Sequence, residues 1–543
     1  MIVVVVDQMR ADYLTRFGHL FKDKDGFARL MTEGAWFQGA EIAHGVTMTS
    51  PGHATIATGS DPSAHGVIQN NWIDRASGEP AYAVADPKGT IVGPPGVDTA
   101  GIRGRSSAAS RRSTIGSWLK AASPTSKVLS IAYKDRASIL MAGSDSDGAY
   151  WYEPEVGAYV TSSAFSQVLP AWVVDFDRSA ALGEARSPTM TWKRSLPLTA
   201  YDFVGADDVA VEGSGGGKNT TFPHRLSDPS DSTTAAFYRL GASPTSDGLS
   251  FDLLHRGLNA LELGADDAPD LLLLSLSGAD LVGHAFGPDS HEMVDYYAQL
   301  DRRLGDLVRE LDRRLPGAYA LVLTADHGGA RMPEVARALG HADAERITGD
   351  IFEREVGAAL ARVRRRLKLP EPIAFDDVGE GIWLDTKAAE ARGITAARLR
   401  SQVAQELRTL PFVADAFTYE ELADPSQASA SRQSWLRRYG LGFVADRSPD
   451  IQLLPPSGWL INTRATGTSH GTPYDYDTQV PIIVFGEGIP ARVVEAPVYT
   501  HDVAPTIAEL LGVRAPADID GHSLLPLLRP VAAMNPQRST AEN

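Results

Sequence analysis

Three stretches of the chain pair carboxylates with imidazoles. Asp280 precedes His284 by four residues in SGADLVGHAFGP, Asp326 and His327 are adjacent in LTADHGG, and His470 sits in GTSHGTPYDYD. Asp7 follows the apolar run Ile2–Val6. An aspartate at a strand end is ordinarily a turn or cap residue, and a glycine-flanked histidine is ordinarily packed or at the surface. Their conjunction carries more, because carboxylate and imidazole together suit zinc and neighbouring divalent cations. A fourth stretch, TMTSPGHATIATG from Thr47 to Gly59, is rich in hydroxyls. Pro51 is comfortable in a first helical turn. Thr49 would then stand at a helix N-terminus, where negative charge is favoured, and a metal ion on its oxygen would make it nucleophilic. Thr47 and Ser50 are its rivals, and a plain capping threonine is the non-catalytic alternative. His53 reads as a structural helix residue.

These residues must be positioned by a framework, and the apolar runs supply one. Runs at 2–6, 128–133, 271–276, 321–323 and 480–485 are near-continuous, as expected of strands buried on both faces. Residues 293–315 carry apolar side chains at helical spacing and predict a long amphipathic helix. Alternating strands and helices predict an α/β fold with a mostly parallel central sheet covered by helices on both faces. Ligands in such folds sit beyond the carboxyl ends of the strands, where these acids and imidazoles fall. Residues 1–543 are expected to form one catalytic domain with two insertions. The first, at about 145–260, reads as loops and short strands over the core, with Tyr150–Tyr152 packing a lid. The second, at about 345–450, reads as a small α/β lobe with helices near 349–367 and 395–410 around a strand at 382–384. GSGGGKNTT, from Gly213 to Thr221, has Glu212 and Asn219 where a phosphate loop needs Gly and Ser or Thr, and reads as a flexible surface loop.

Composition narrows the function classes. The 543 residues carry a formal net charge of -17 and no cysteine. The charge disfavours nucleic acid as a partner. The missing thiols remove disulfides, thiol catalysis and cysteine-held zinc. No stretch approaches the apolar length of a membrane span. The opening segment MIVVVVDQMRADYL lacks the basic lead and the apolar length of a signal peptide. It reads as a buried strand, which is compatible with loss of an upstream leader.

The motif set resembles the alkaline phosphatase superfamily. It is most similar to the branch holding type I phosphodiesterases/nucleotide pyrophosphatases and alkaline phosphatases with a threonine nucleophile, over a span from VVVVDQMRADYL to THDVAPTIAELLGV. The resemblance implies two zinc ions, one held by Asp280, His284 and His470, the other by Asp7, Asp326 and His327 with the Thr49 oxygen. It implies Thr49 as nucleophile, since Thr-x-Pro-x-His maps onto Thr49 to His53. In SAHGVIQNNW it points to Asn70, with Asn71 as rival, as an amide for a phosphate oxygen. The pair Lys134 and Arg136 resembles the Lys-x-Arg that contacts phosphate in the monoesterases. At strand spacing the two would point the same way. Sulfatases of the superfamily need Cys or Ser with Arg four residues on, and here the fourth residue is His53. The implied activity is hydrolysis of small phosphate monoesters through a phosphothreonine. A phosphodiesterase/nucleotide pyrophosphatase is the first alternative, and a non-catalytic metal-binding protein the second. A periplasmic or secreted monomer is the implied form.

Overall fold

The structure, a computed structural model, describes residues 1–529 apart from 218, 370–372, 379, 380, 428 and 463. Eleven strands build the main sheet: β1 (Ile2–Val6), β2 (Ala35–Phe37), β3 (Ala85–Val92), β4 (Arg103–Arg105), β5 (Val128–Ala132), β6 (Gly148–Glu153), β7 (Ala158–Ser162), β8 (Leu271–Leu276), β9 (Ala320–Thr324), β10 (Ile482–Gly486) and β11 (Arg492–Val494). Their spatial order is β11-β2-β10-β9-β1-β8-β5-β6-β7-β3-β4. The central run β9-β1-β8-β5-β6 is parallel. Beyond it β10 pairs antiparallel with β9, and β7 and β3 continue antiparallel from β6. The α/β architecture is the expected one. Its parallel character, however, is confined to the centre of a mixed sheet.

The central strands are hydrophobic on both faces because both faces are covered. Val4, Leu274 and Leu323 join one apolar cluster, while Val3, Val5, Leu273 and Val322 join another. Alternate residues of a strand point to opposite faces, so each cluster is one side of the sheet. The expected amphipathic helix runs His291–Arg314 and packs the first side through Met293, Leu300, Leu304 and Leu311. The helices Ile115–Ala122 and Val503–Leu510 pack the second.

The segment at about 145–260 is built differently from its sequence reading. Tyr150–Tyr152 lie in β6, inside the central sheet, with Trp151 fully buried. The segment continues into helices, the longest being Pro244–Ala260, whose Leu249, Leu253 and Leu254 enter the core. Aromatic and small residues that read as loop form a strand here because they pair with β5 on one side and with β7 in a hairpin on the other. In the 345–450 segment, helices Gly349–Leu367 and Ala396–Leu407 pack on a four-stranded sheet of Ala374–Val378, Gly381–Leu384, Asp415–Thr418 and Ile451–Leu454. They share a separate apolar cluster that includes Val356, Leu399, Val403 and Leu453. Residues 370–372, 379, 380 and 428 of that segment, Lys218 of the glycine-rich stretch, and 530–543 lie outside the described residues.

Candidate active site

The parallel strands deliver the acids. Asp7 follows β1, Asp280 lies in the first turn of the helix Gly278–Phe286 after β8, and Asp326 stands two residues beyond β9. Val6 is in register with Leu276, and Val5 with Thr324. Neighbouring strands therefore end together, and the three carboxylates meet at one sheet edge. All three are buried.

The imidazoles close around them. His327 Nε2 is 3.4 Å from both Asp7 Oδ1 and Asp326 Oδ2. His284 Nε2 and His470 Nε2 are 3.2 Å and 3.4 Å from Asp280 Oδ1. The rings of His327 and His470 stack at 3.7 Å between centroids. Each histidine is fixed from behind: His284 Nδ1 lies 2.8 Å from the Thr468 carbonyl, His327 Nδ1 2.9 Å from that of Gly328, and His470 Nδ1 2.7 Å from that of Thr47. A carbonyl only accepts, so each Nδ1 carries the proton and each Nε2 turns a lone pair inward. That is the outer support typical of metal-bound histidine.

Two sets have ligand atoms mutually within 4.8 Å, Asp7/Asp326/His327 and Asp280/His327/His470. The first is the expected grouping. In the second His327 stands where His284 was expected, while His284 approaches Asp280 from the rim. Buried Asp7 Oδ1 and His327 Nε2 have no hydrogen-bond partner, an arrangement that costs free energy unless something else engages them. Hard carboxylate and borderline imidazole donors, buried and partly unpartnered, fit divalent cations.

The helix that Thr49 opens packs against this centre. Thr49 opens the helix Thr49–Thr58 and is buried. A Cβ on Gly52 would lie 2.3 Å from the Asp326 carbonyl oxygen, so only glycine lets the first turn press against the Asp326 loop. Thr47 is engaged elsewhere, donating to the Thr472 carbonyl at 2.9 Å. Asn70 accepts from the Ser50 N–H at 2.9 Å. Since a backbone N–H donates, the Asn70 oxygen faces the helix and its amide nitrogen is left over. Asn71 is exposed.

Lys134 and Arg136 do not follow the strand geometry expected of them. β5 ends at Ala132, Lys134 caps the helix Asp135–Ala142, and Arg136 lies in its first turn. They consequently diverge. Arg136 Nη2 is 3.4 Å from Thr49 Oγ1. Lys134 Nζ inserts between Asp7 Oδ2, at 2.6 Å, and Asp280 Oδ2.

Electrostatics follow from burial and crowding. Burial, reinforced by the charge of Asp326, pushes the Asp7 carboxyl well above the usual carboxylate range. Burial works the same way on Asp280, but His284 and Lys134 outweigh it and hold that carboxyl well below the range. Burial brings the His327 imidazole down to about 3 against the pull of Asp326. It would lower Lys134 too, but Asp280 and Asp7 outweigh it and raise the ammonium.

Sequence reasoning missed two supports. Gln8 has a φ of 62°, a left-handed conformation that costs on the order of 1–3 kcal/mol in a non-glycine residue. From there its N–H donates to Asp326 Oδ1 at 3.2 Å and its side-chain amide to Asp280 Oδ1 at 2.9 Å, linking the two acids. His53, which reads from sequence as a helix residue, touches the site: Nδ1 lies 2.9 Å from the Thr49 carbonyl and 3.1 Å from Asp326 Oδ2, and Nε2 lies 2.7 Å from Ser275 Oγ. A polar residue next to a strand-end aspartate was the only signal for Gln8.

The sequence profile of the type I phosphodiesterase / nucleotide pyrophosphatase family matches residues 1–475. The chain belongs to this family. Among curated members, alkaline phosphatase PafA of Elizabethkingia meningoseptica is 30% identical over 525 residues, 96% of this chain and 93% of PafA. Alkaline phosphatase PhoV of Synechococcus elongatus is 29% identical, covering 97% and 92%. A Myroides odoratus protein named calcium-transporting ATPase is 31% identical, covering 94% and 91%. The solved structure of wild-type PafA superposes with a TM-score of 0.87 at 29% identity, over 97% of this chain and 98% of PafA. A solved PafA variant carries exchanges at a Thr, an Asn, a Lys and an Arg, in that chain order, with one residue between the last two.

Proposed function

We propose that this chain is an alkaline phosphatase that hydrolyses small phosphate monoesters at a two-zinc centre, with Thr49 as the nucleophile. One observation carries the proposal: the Arg136 guanidinium reaches the hydroxyl of Thr49, whose helix packs through Gly52 and His53 on Asp326, a member of the Asp7/Asp326/His327 set. The kinship with PafA and PhoV supports the monoester assignment. The residues exchanged in the PafA variant match Thr49, Asn70, Lys134 and Arg136 in type and order.

Asp280, His284 and His470 would hold one zinc ion, and Asp7, Asp326, His327 and the Thr49 oxygen the other. A bound zinc ion supplies Lewis-acid stabilisation of charge on oxygen and lowers the pKa of a hydroxyl it holds. The protein does the rest. Thr49 Oγ attacks phosphorus in line, the phosphorus–oxygen bond to the leaving group breaks, and the alcohol departs. Water then attacks phosphothreonine, releasing inorganic phosphate and restoring the hydroxyl. Arg136, Lys134 and the Asn70 amide bind the non-bridging oxygens, where charge must be met by fixed donors. Burial strengthens each of these interactions by excluding water.

A phosphodiesterase is the second reading, favoured by the family's breadth. The cations decide between the two, because a monoester presents one more terminal oxygen and one more negative charge. Rates of the zinc-loaded protein on an aryl phosphate and on the bis-aryl phosphate test the proposal. A clear preference for the monoester is expected, and a preference for the diester overturns it. Monomeric action in the periplasm or outside the cell belongs to the same proposal. Among the described residues no helix is long and apolar enough to cross a membrane.

A further inference from the structure

His284 is the half-exposed edge of an otherwise buried centre. Its side chain is 29% exposed, against 7% for His470 and none for His327. Of the three imidazoles, His284 is therefore the one that opens the centre toward solvent. A cavity of about 370 Å³ begins there, lined by His284, Leu281, Tyr238, Arg464 and the glycines Gly213 and Gly215. That volume suits a small organic group.

The cavity wall uses the glycine-rich stretch that reads from sequence as a flexible surface loop. The Gly213 N–H donates to the Ala285 carbonyl at 2.6 Å, tying the loop to the helix that carries His284, and the Gly467 N–H donates to the carbonyl of Val211, just before the loop, at 2.7 Å. Gly216 has a φ of 82°, and a Cβ there would lie 3.0 Å from the Arg239 backbone nitrogen. The loop is thus docked against the helix Thr233–Gly241, which presents Tyr238. Tyr238 is 38% exposed, and Arg464 lies over its ring at 5.6 Å. A large ring left accessible beside an apolar Leu281 and a guanidinium is a stacking surface.

We infer that this cavity is a leaving-group subsite that stacks a planar aromatic group on Tyr238, giving the enzyme a preference for aromatic over small alkyl phosphate esters. The inference rests on the proposed phosphatase reading, with phosphate bound at Thr49 and its substituent directed past His284.

The test uses the full chain loaded with zinc and two non-hydrolysable probes, phenylphosphonate and methylphosphonate, measured by calorimetry in wild type, Tyr238→Ala and Tyr238→Phe. In Tyr238→Ala the affinity for phenylphosphonate should fall roughly tenfold, the scale of aromatic stacking on a side chain. Methylphosphonate should be unaffected, and Tyr238→Phe should bind both as wild type does. Equal losses for both probes, or none for phenylphosphonate, overturn the subsite. Failure of wild type to bind methylphosphonate or inorganic phosphate would instead overturn the phosphatase reading, and the subsite with it. Turnover provides a parallel measure: the kcat/KM for phenyl phosphate should drop in Tyr238→Ala while that for ethyl phosphate holds.

Discussion

Replacing Arg136 with alanine should harm monoester hydrolysis far more than diester hydrolysis. Arg136 Nη2 stands 3.4 Å from Thr49 Oγ1, so a phosphoryl group attached to that oxygen has a non-bridging oxygen within hydrogen-bond reach of the guanidinium. Two unit charges about 4 Å apart at an effective dielectric of about 20 interact by about 4 kcal/mol, which corresponds to roughly a thousandfold in rate. Water entering the vacated volume and the remaining Lys134 charge offset part of this. A loss of about 2 kcal/mol, roughly thirtyfold, is the lower bound. A diester carries one less negative charge on those oxygens, so its loss should be at least roughly tenfold smaller. The assay is kcat/KM for an aryl phosphate and its bis-aryl counterpart, in wild type and Arg136→Ala at matched zinc content, with the melting temperature confirming an intact fold. Equal losses on both substrates would refute the reasoning, because the guanidinium would then not be reading the extra charge.

Three further outcomes are expected. Chelation should abolish activity and lower the melting temperature, since it leaves three buried carboxylates against Lys134; adding zinc back should restore both, and an unchanged melting curve would count against a metal centre. Gln8→Ala removes the amide that links Asp280 to the Asp326 side of the site, so the zinc affinity should fall about 10- to 100-fold, as when other outer-shell partners are lost, as read by competition with a fluorescent chelator. Burial pushes the Asp177 carboxyl up to about 7. A carboxyl raised above its unfolded value contributes stability that is full below about pH 4 and is lost as pH rises through about 7. Asp177→Asn, which can keep the acceptor for the Tyr159 N–H, should therefore raise the melting temperature at pH 8 and leave it unchanged at pH 4; the reverse pattern would refute the assignment.

The chemistry was legible where local sequence dictates position. The convergence of Asp7 and Asp326 is readable because an apolar run ends just before each, and parallel strands in register end together. The place of Thr49 at a helix start was readable because Pro51 marks a first helical turn. The mistakes came where distant contacts decide. Strand spacing predicts a common direction for Lys134 and Arg136, but a helix begins at Asp135 and sends one cation to the carboxylates and the other to the hydroxyl. Short flanking strands such as Ala35–Phe37 exist only because β10 and β11 pair with them. Gln8 owes its place to a left-handed backbone held by two acids far along the chain, which no local pattern announces.

The central claim is that the oxygen of Thr49 carries the phosphoryl group during turnover. Rapid acid quenching of the zinc-loaded enzyme with an aryl phosphate, followed by peptide mass spectrometry, tests it most directly. A phosphorylated peptide containing Thr49, absent from Thr49→Ala, is predicted. Full steady-state turnover by Thr49→Ala, or phosphate trapped on Thr47 or Ser50 instead, would contradict it.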